Sequence, residues 1–61
     1  MQTWQIASNP EAYMGRAVIF ETQGTTVTGT LEVAFRTDEW DHLIVDGTDY
    51  CLTGLETAEI N

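Results

Sequence analysis

Lysine is absent from this chain, and arginine occurs twice, as Arg16 and Arg36. Ten acidic residues stand against them, giving a formal net charge of −8. A nucleic-acid binder needs cations to neutralise phosphates, and here there is little to build such a patch from. The same shortage disfavours anionic membranes. The single cysteine, Cys51, excludes an intrachain disulfide. The carboxylates nearest it in sequence, Asp49 and Glu56, disfavour a thiolate, so it reads as a small buried hydrophobe. Serine occurs once, as Ser8, and histidine once, as His42, which leaves little for nucleophilic catalysis. The longest clear apolar run, Ala17 to Phe20, is far too short to span a membrane. Met1 to Trp4 lacks the basic residues of a secretory signal, and no apolar stretch follows. The expectation is a soluble, cytoplasmic protein that is not an enzyme and carries no cofactor or metal.

What is present is a strand pattern. From Thr25 to Phe35 the odd positions read Val27, Gly29, Leu31, Val33 and Phe35, and the even positions are mostly threonine. Side chains alternate across a strand, so Val27, Leu31, Val33 and Phe35 are expected to face a core. Gly29 interrupts that face and marks a bend, which would let one strand serve both halves of a small barrel. Gln23-Gly24 and Asp46-Gly47 are hairpin turns. They imply strands over Arg16 to Thr22, His42 to Val45 and Asp49 to Thr53, with Tyr50 and Leu52 on one face. Ser8-Asn9-Pro10-Glu11 opens a short helix, Pro10 to Met14, which Gly15 stops. Residues 1 to 7 read as an edge strand or a packed tail, with Trp4 inward. Leu55 to Ile60 reads as a helical turn and a closing strand anchored by Leu55 and Ile60. With 61 residues, the chain is one small domain, 1 to 61: an all-β, five-stranded antiparallel barrel with one short helix.

The densest polar run is Asp38-Glu39-Trp40-Asp41-His42. Its spacing matches no established metal loop, and a solvated acidic loop is the preferred reading. Trp40 is either an exposed anchor for a partner or a lid folded over one end of the barrel.

Some short motifs resemble the Sm-like branch of the SH3-like barrels. Gly15-Arg16-Ala17-Val18 matches that family's opening of the first strand, and Gly24 its turn glycine. Val27-Thr28-Gly29-Thr30-Leu31 matches its bent second strand. Asp38 and His42-Leu43 stand where the family has an acidic residue and an asparagine-leucine pair. Thr53-Gly54 stands where it has arginine-glycine. The resemblance spans roughly Pro10 to Ile60 and implies the fold, RNA binding and rings built through edge strands. The residues that would hold RNA are replaced by His42 and Thr53.

These features favour a small acidic interaction module. Glu32, Asp38, Glu39, Asp41, Asp46 and Asp49 would present a negative surface around Trp40 to a protein with a basic surface. One form is charge mimicry of DNA by a phage-type or mobile-element-type inhibitor. The alternatives are an Sm-like oligomer that binds nucleic acid, and a structural subunit whose edge strand a partner completes.

Overall fold

Two tight turns set the order of the sheet. At Gln23-Gly24 the φ angles are 51° and 75°, and at Asp46-Gly47 they are 49° and 83°. Paired positive values are those of the primed turns that match strand twist. In the computed structural model, which covers Met1 to Asn61, the turns join β1 (Ala17–Thr22) to β2 (Thr25–Arg36) and β3 (Asp41–Val45) to β4 (Thr48–Leu52). A short β5 (Ala58–Ile60) follows, and the helix α1 (Thr3–Ser8) and a 3-10 turn (Pro10–Ala12) precede the strands. The order is β4-β3-β2-β1-β5, with every pair antiparallel. β4 and β5 do not pair, so the sheet is not closed.

β2 serves both halves, as its length suggests. Thr25 to Thr30 pair with β1, and Leu31 to Arg36 pair with β3. The irregularity between them is not at Gly29. The register shifts between Leu31 and Val33, so Glu32 is a bulged residue, and a bulge inverts the alternation beyond it. Leu31 and Ala34 are buried, whereas Phe35 is 40 % exposed. Val33 and Phe35 therefore face outward, contrary to the unbroken alternation expected of them. The β3–β4 turn pins the bulge. Thr30 N donates to Asp46 Oδ1 (3.1 Å), Asp46 N donates to Thr30 O (3.2 Å), and Gly47 N donates to Glu32 Oε1. Gly29 is where this turn docks. A Cβ there would lie 2.7 Å from Val45 Cγ1, closer than carbon atoms pack.

The core lies on the inner face: Ile6, Val18, Phe20, Leu31, Ala34, Leu43, Val45, Leu52 and Ala58. α1 covers it over β2 and β3. Residues 3 to 8 are helical, not extended. Thr3, Ile6 and Ala7 are buried, the stripe a helix presents at i, i+3 and i+4. Gln5 Oε1 accepts from Gln2 N at 2.8 Å, which anchors the first turn. Trp4 lies outside that stripe and is exposed, its Nε1 donating to Gln2 Oε1. The turn predicted to start at Pro10 is present but short. Leu55 is 70 % exposed, and Ala58 takes the anchoring role expected of it.

Glu56 organises the β4–β5 loop. Its carboxylate accepts from Thr53 N (3.1 Å), Gly54 N (3.0 Å) and Thr53 Oγ1 (2.9 Å). Burial pushes its pKa up, but these hydrogen bonds outweigh burial and hold it below the ordinary glutamate value. The contribution to stability is therefore complete above the unfolded-state pKa and is lost as pH falls through the folded one. In urea melts across acid pH, Glu56→Gln is expected to remove part of the acid-side loss of stability. A slope unchanged by the substitution would contradict this.

Candidate functional site

A two-residue turn fixes the register of the strands it joins. Around Asp46-Gly47, Ile44 pairs with Asp49 and His42 with Cys51. The parity that buries Leu43, Val45 and Leu52 sends His42, Asp49 and Cys51 to the outer face. The bulge in β2 brings Phe35 opposite His42 and Val33 opposite Ile44. The outer face of β2, β3 and β4 thus carries two cross-strand rows, Phe35–His42–Cys51 and Val33–Ile44–Asp49.

The first row is tightly arranged. The His42 ring stacks on Phe35, with centroids 4.6 Å apart and planes 9° from parallel. Its Nδ1 is 2.9 Å from Asp49 Oδ1, 3.2 Å from Asp49 Oδ2 and 3.6 Å from Cys51 Sγ. Cys51 is exposed, not the buried hydrophobe expected of it. The metal-type side chains that the fold gathers are thus His42, Asp49 and Cys51, rather than the contiguous run 38–42. The signal was in the sequence: the Asp46-Gly47 turn makes positions 42 and 51 partners, and the inward pair Tyr50 and Leu52 puts 49 and 51 outside.

Beside these strands lies a groove of about 410 Å³, lined by Thr22, Gln23, Thr25, Val27, Asp49, Tyr50 and Cys51. It runs between β4 and the β1–β2 hairpin, where the sheet is open. β4 has β3 on one side and no strand on the other, and the first half of β2 is paired with β1 alone. Tyr50 packs its ring edge-on against buried Phe20, with centroids 5.4 Å apart. The opposite end of the sheet differs. The outer edge is covered at the start of β5 by the N-terminal segment, through Ala58 N to Met1 O (2.7 Å), Met1 N to Ala58 O (2.9 Å) and the Gln2–Thr57 bridge.

The acidic residues singled out in the sequence do not form one free face. Asp41 is 4 % exposed and so is not a surface residue. It shares the inward parity of Leu43 and Val45, and its Oδ1 accepts from Arg36 Nε at 2.9 Å. Its Oδ2 is buried without a partner. Glu32 and Asp46 hold the bulge and turn together, and Asp49 is engaged with His42. Asp38 and Glu39 are exposed in the β2–β3 loop beside Trp40, which is 45 % exposed. That loop is closed by Thr37 N to Trp40 O (2.8 Å) and Trp40 N to Thr37 Oγ1 (3.1 Å). No helix is long and apolar enough to cross a membrane. Compared with protein families, with curated proteins and with solved structures, the chain matches none of them.

Proposed function

We propose that this protein is a small acidic interaction module that takes an extended, basic segment of a partner protein along the free edge of β4. The observation that carries this reading is the unpaired edge of β4 beside the groove. An extended peptide satisfies such an edge with main-chain hydrogen bonds, and the groove receives alternate side chains. Charge selects the occupant. The groove lining holds one carboxylate, Asp49, and no cation, in a chain of net charge −8. Complementary charge speeds encounter and makes it sensitive to salt. Asp38, Glu39 and Trp40 extend the contact surface at the β2–β3 loop.

A ring of copies fits less well. Head-to-tail assembly needs two different free edges on each copy, and Met1 already pairs with Ala58, which shortens the free edge of β5 to Glu59 and Ile60. Mimicry of DNA by a contiguous array of carboxylates is likewise weakened, because four of the six predicted carboxylates are held within the chain.

The test is capture of the partner from the native host, followed by amide exchange on the complex. Protection is expected at Thr48 to Leu52. The on-rate is expected to fall about tenfold or more as salt is raised from low to physiological strength. Gln23→Lys with Thr25→Lys puts two cations into the groove without touching the core or His42, and should abolish capture while leaving the melting curve unchanged. Protection confined to other strands, or capture by the double variant at full strength, would overturn the reading.

A further inference from the structure

We infer that His42, Asp49 and Cys51 form a binding site for a zinc ion on the outer face of β3 and β4. The site shares Asp49 and Cys51 with the groove lining, but it rests on the spacing of the ligand atoms and not on what occupies the groove. The three ligand atoms lie within 4.8 Å of one another, and the two spacings measured from His42 Nδ1 suit one tetrahedral ion. Zinc bonds of about 2.3 Å to sulfur and about 2.0 Å to nitrogen separate those atoms by roughly 3.5 Å at a tetrahedral angle. Cys51 Sγ and His42 Nδ1 are 3.6 Å apart. Two bonds of about 2.0 Å to nitrogen and oxygen give roughly 3.3 Å, and Asp49 Oδ2 is 3.2 Å from Nδ1.

A proton on Nδ1 accounts for the contact with Asp49 but leaves the thiol without a strong partner. Asp49 and Cys51 both face the same ring nitrogen. Protonated, Nδ1 donates well to the carboxylate and leaves the thiol a weak acceptor. Unprotonated, it accepts from the thiol and repels the carboxylate. A cation at the common centre accepts a lone pair from each of the three. The ring is also fixed in place: its side chain is 13 % exposed and it stacks on Phe35, so little rearrangement is needed. Asp49 and Cys51 are two residues apart on one strand, which points both the same way.

The donor set chooses the metal. One thiolate, one imidazole and one carboxylate suit zinc, whereas calcium takes six to eight oxygens and magnesium keeps mostly water. On binding, the thiol releases its proton to solvent and sulfur donates as the thiolate. Three protein ligands leave a fourth position open to water, as in zinc sites that act on a substrate and unlike closed structural ones. The excess of negative charge on the chain concentrates divalent cations around it.

The test is titration of the reduced full-length chain with cobalt(II), a spectroscopic stand-in for zinc. One equivalent should produce the near-ultraviolet thiolate-to-cobalt charge-transfer band, and zinc should remove it by competition. Cys51→Ser should abolish the band. His42→Ala and Asp49→Asn, both outward-facing, should retain the wild-type circular dichroism. Each should lose more zinc affinity than the roughly 10- to 100-fold that follows loss of an outer-shell partner. No band at stoichiometric cobalt would overturn the site. So would undiminished affinity in both His42→Ala and Asp49→Asn, which would mean that the exposed thiol binds metal unaided.

Discussion

Phe20→Ala is expected to leave the chain without a cooperative melt at room temperature. Phe20 is 1 % exposed and heads the largest fully buried side chains. Truncating a buried phenylalanine costs about 3–5 kcal/mol, from lost transfer energy and the cavity left behind. A core in a domain below roughly 70–80 residues rarely supplies more than about 3–5 kcal/mol in total. The chain has 61 residues and no disulfide to add to its core. The two magnitudes are equal, so the loss removes the whole margin. Phe20 also supports Tyr50 in the groove wall, and the proposed docking surface would be lost with the fold. Far-ultraviolet circular dichroism and amide proton dispersion read the outcome. A graded control is Ile6→Val, which removes one methylene at a fully buried site and should cost only about 0.5–1.5 kcal/mol. A cooperative transition in Phe20→Ala, shifted by only a few degrees, would mean that the cavity collapses or that Tyr50 fills it.

What could be read in advance was local. Both hairpins were legible because Gln23-Gly24 and Asp46-Gly47 carry their own turn chemistry. β1, β3 and β4 were legible because two-residue turns fix register. What failed depended on contacts distant in sequence. The face of the second half of β2 is not legible locally, because the bulge at Glu32 is held by Gly47, fifteen residues away. The helix at Thr3–Ser8 is not legible either, because six residues show too little periodicity and its position depends on Thr3 N to Glu56 O and Trp4 N to Gly54 O. Asp41 is a surface residue by type, but strand parity places it with Leu43 and Val45. The same parity argument, applied to His42 and Cys51 together, would have assembled the candidate metal ligands from the sequence. Cys51 has carboxylates near it in sequence, whereas its imidazole neighbour comes from the strand opposite.

Gly54→Ala is expected to lower stability by about 2–4 kcal/mol, from two separate penalties. Gly54 has φ of 95°, a region costly for any residue with a Cβ. The added methyl would also lie 2.6 Å from Asp41 Oδ2 and 3.1 Å from Trp4 Cβ. Neither neighbour gives way easily. Asp41 is buried and tied by Oδ1 to Arg36, and the backbone beside the Trp4 Cβ is held by its hydrogen bond to Gly54 O at 3.0 Å. The site therefore joins the β4–β5 loop, α1 and the start of β3 at one point. At about 4–8 °C per kcal/mol for a domain of this size, the fall in Tm should exceed roughly 10 °C. Gly24→Ala separates the two penalties, because φ there is 75° and nothing lies within 4 Å of the new Cβ. It carries the backbone cost alone and should shift Tm by markedly less. Equal shifts in the two variants would show that α1 and Asp41 move aside without cost. A double-mutant cycle locates the clash. Asp41→Ala destabilises alone by removing the ion pair with Arg36, but it also vacates the space beside residue 54. The losses from Gly54→Ala and Asp41→Ala should therefore combine to less than their sum, whereas strict additivity would place the cost in the backbone of the loop rather than in its packing against the buried carboxylate.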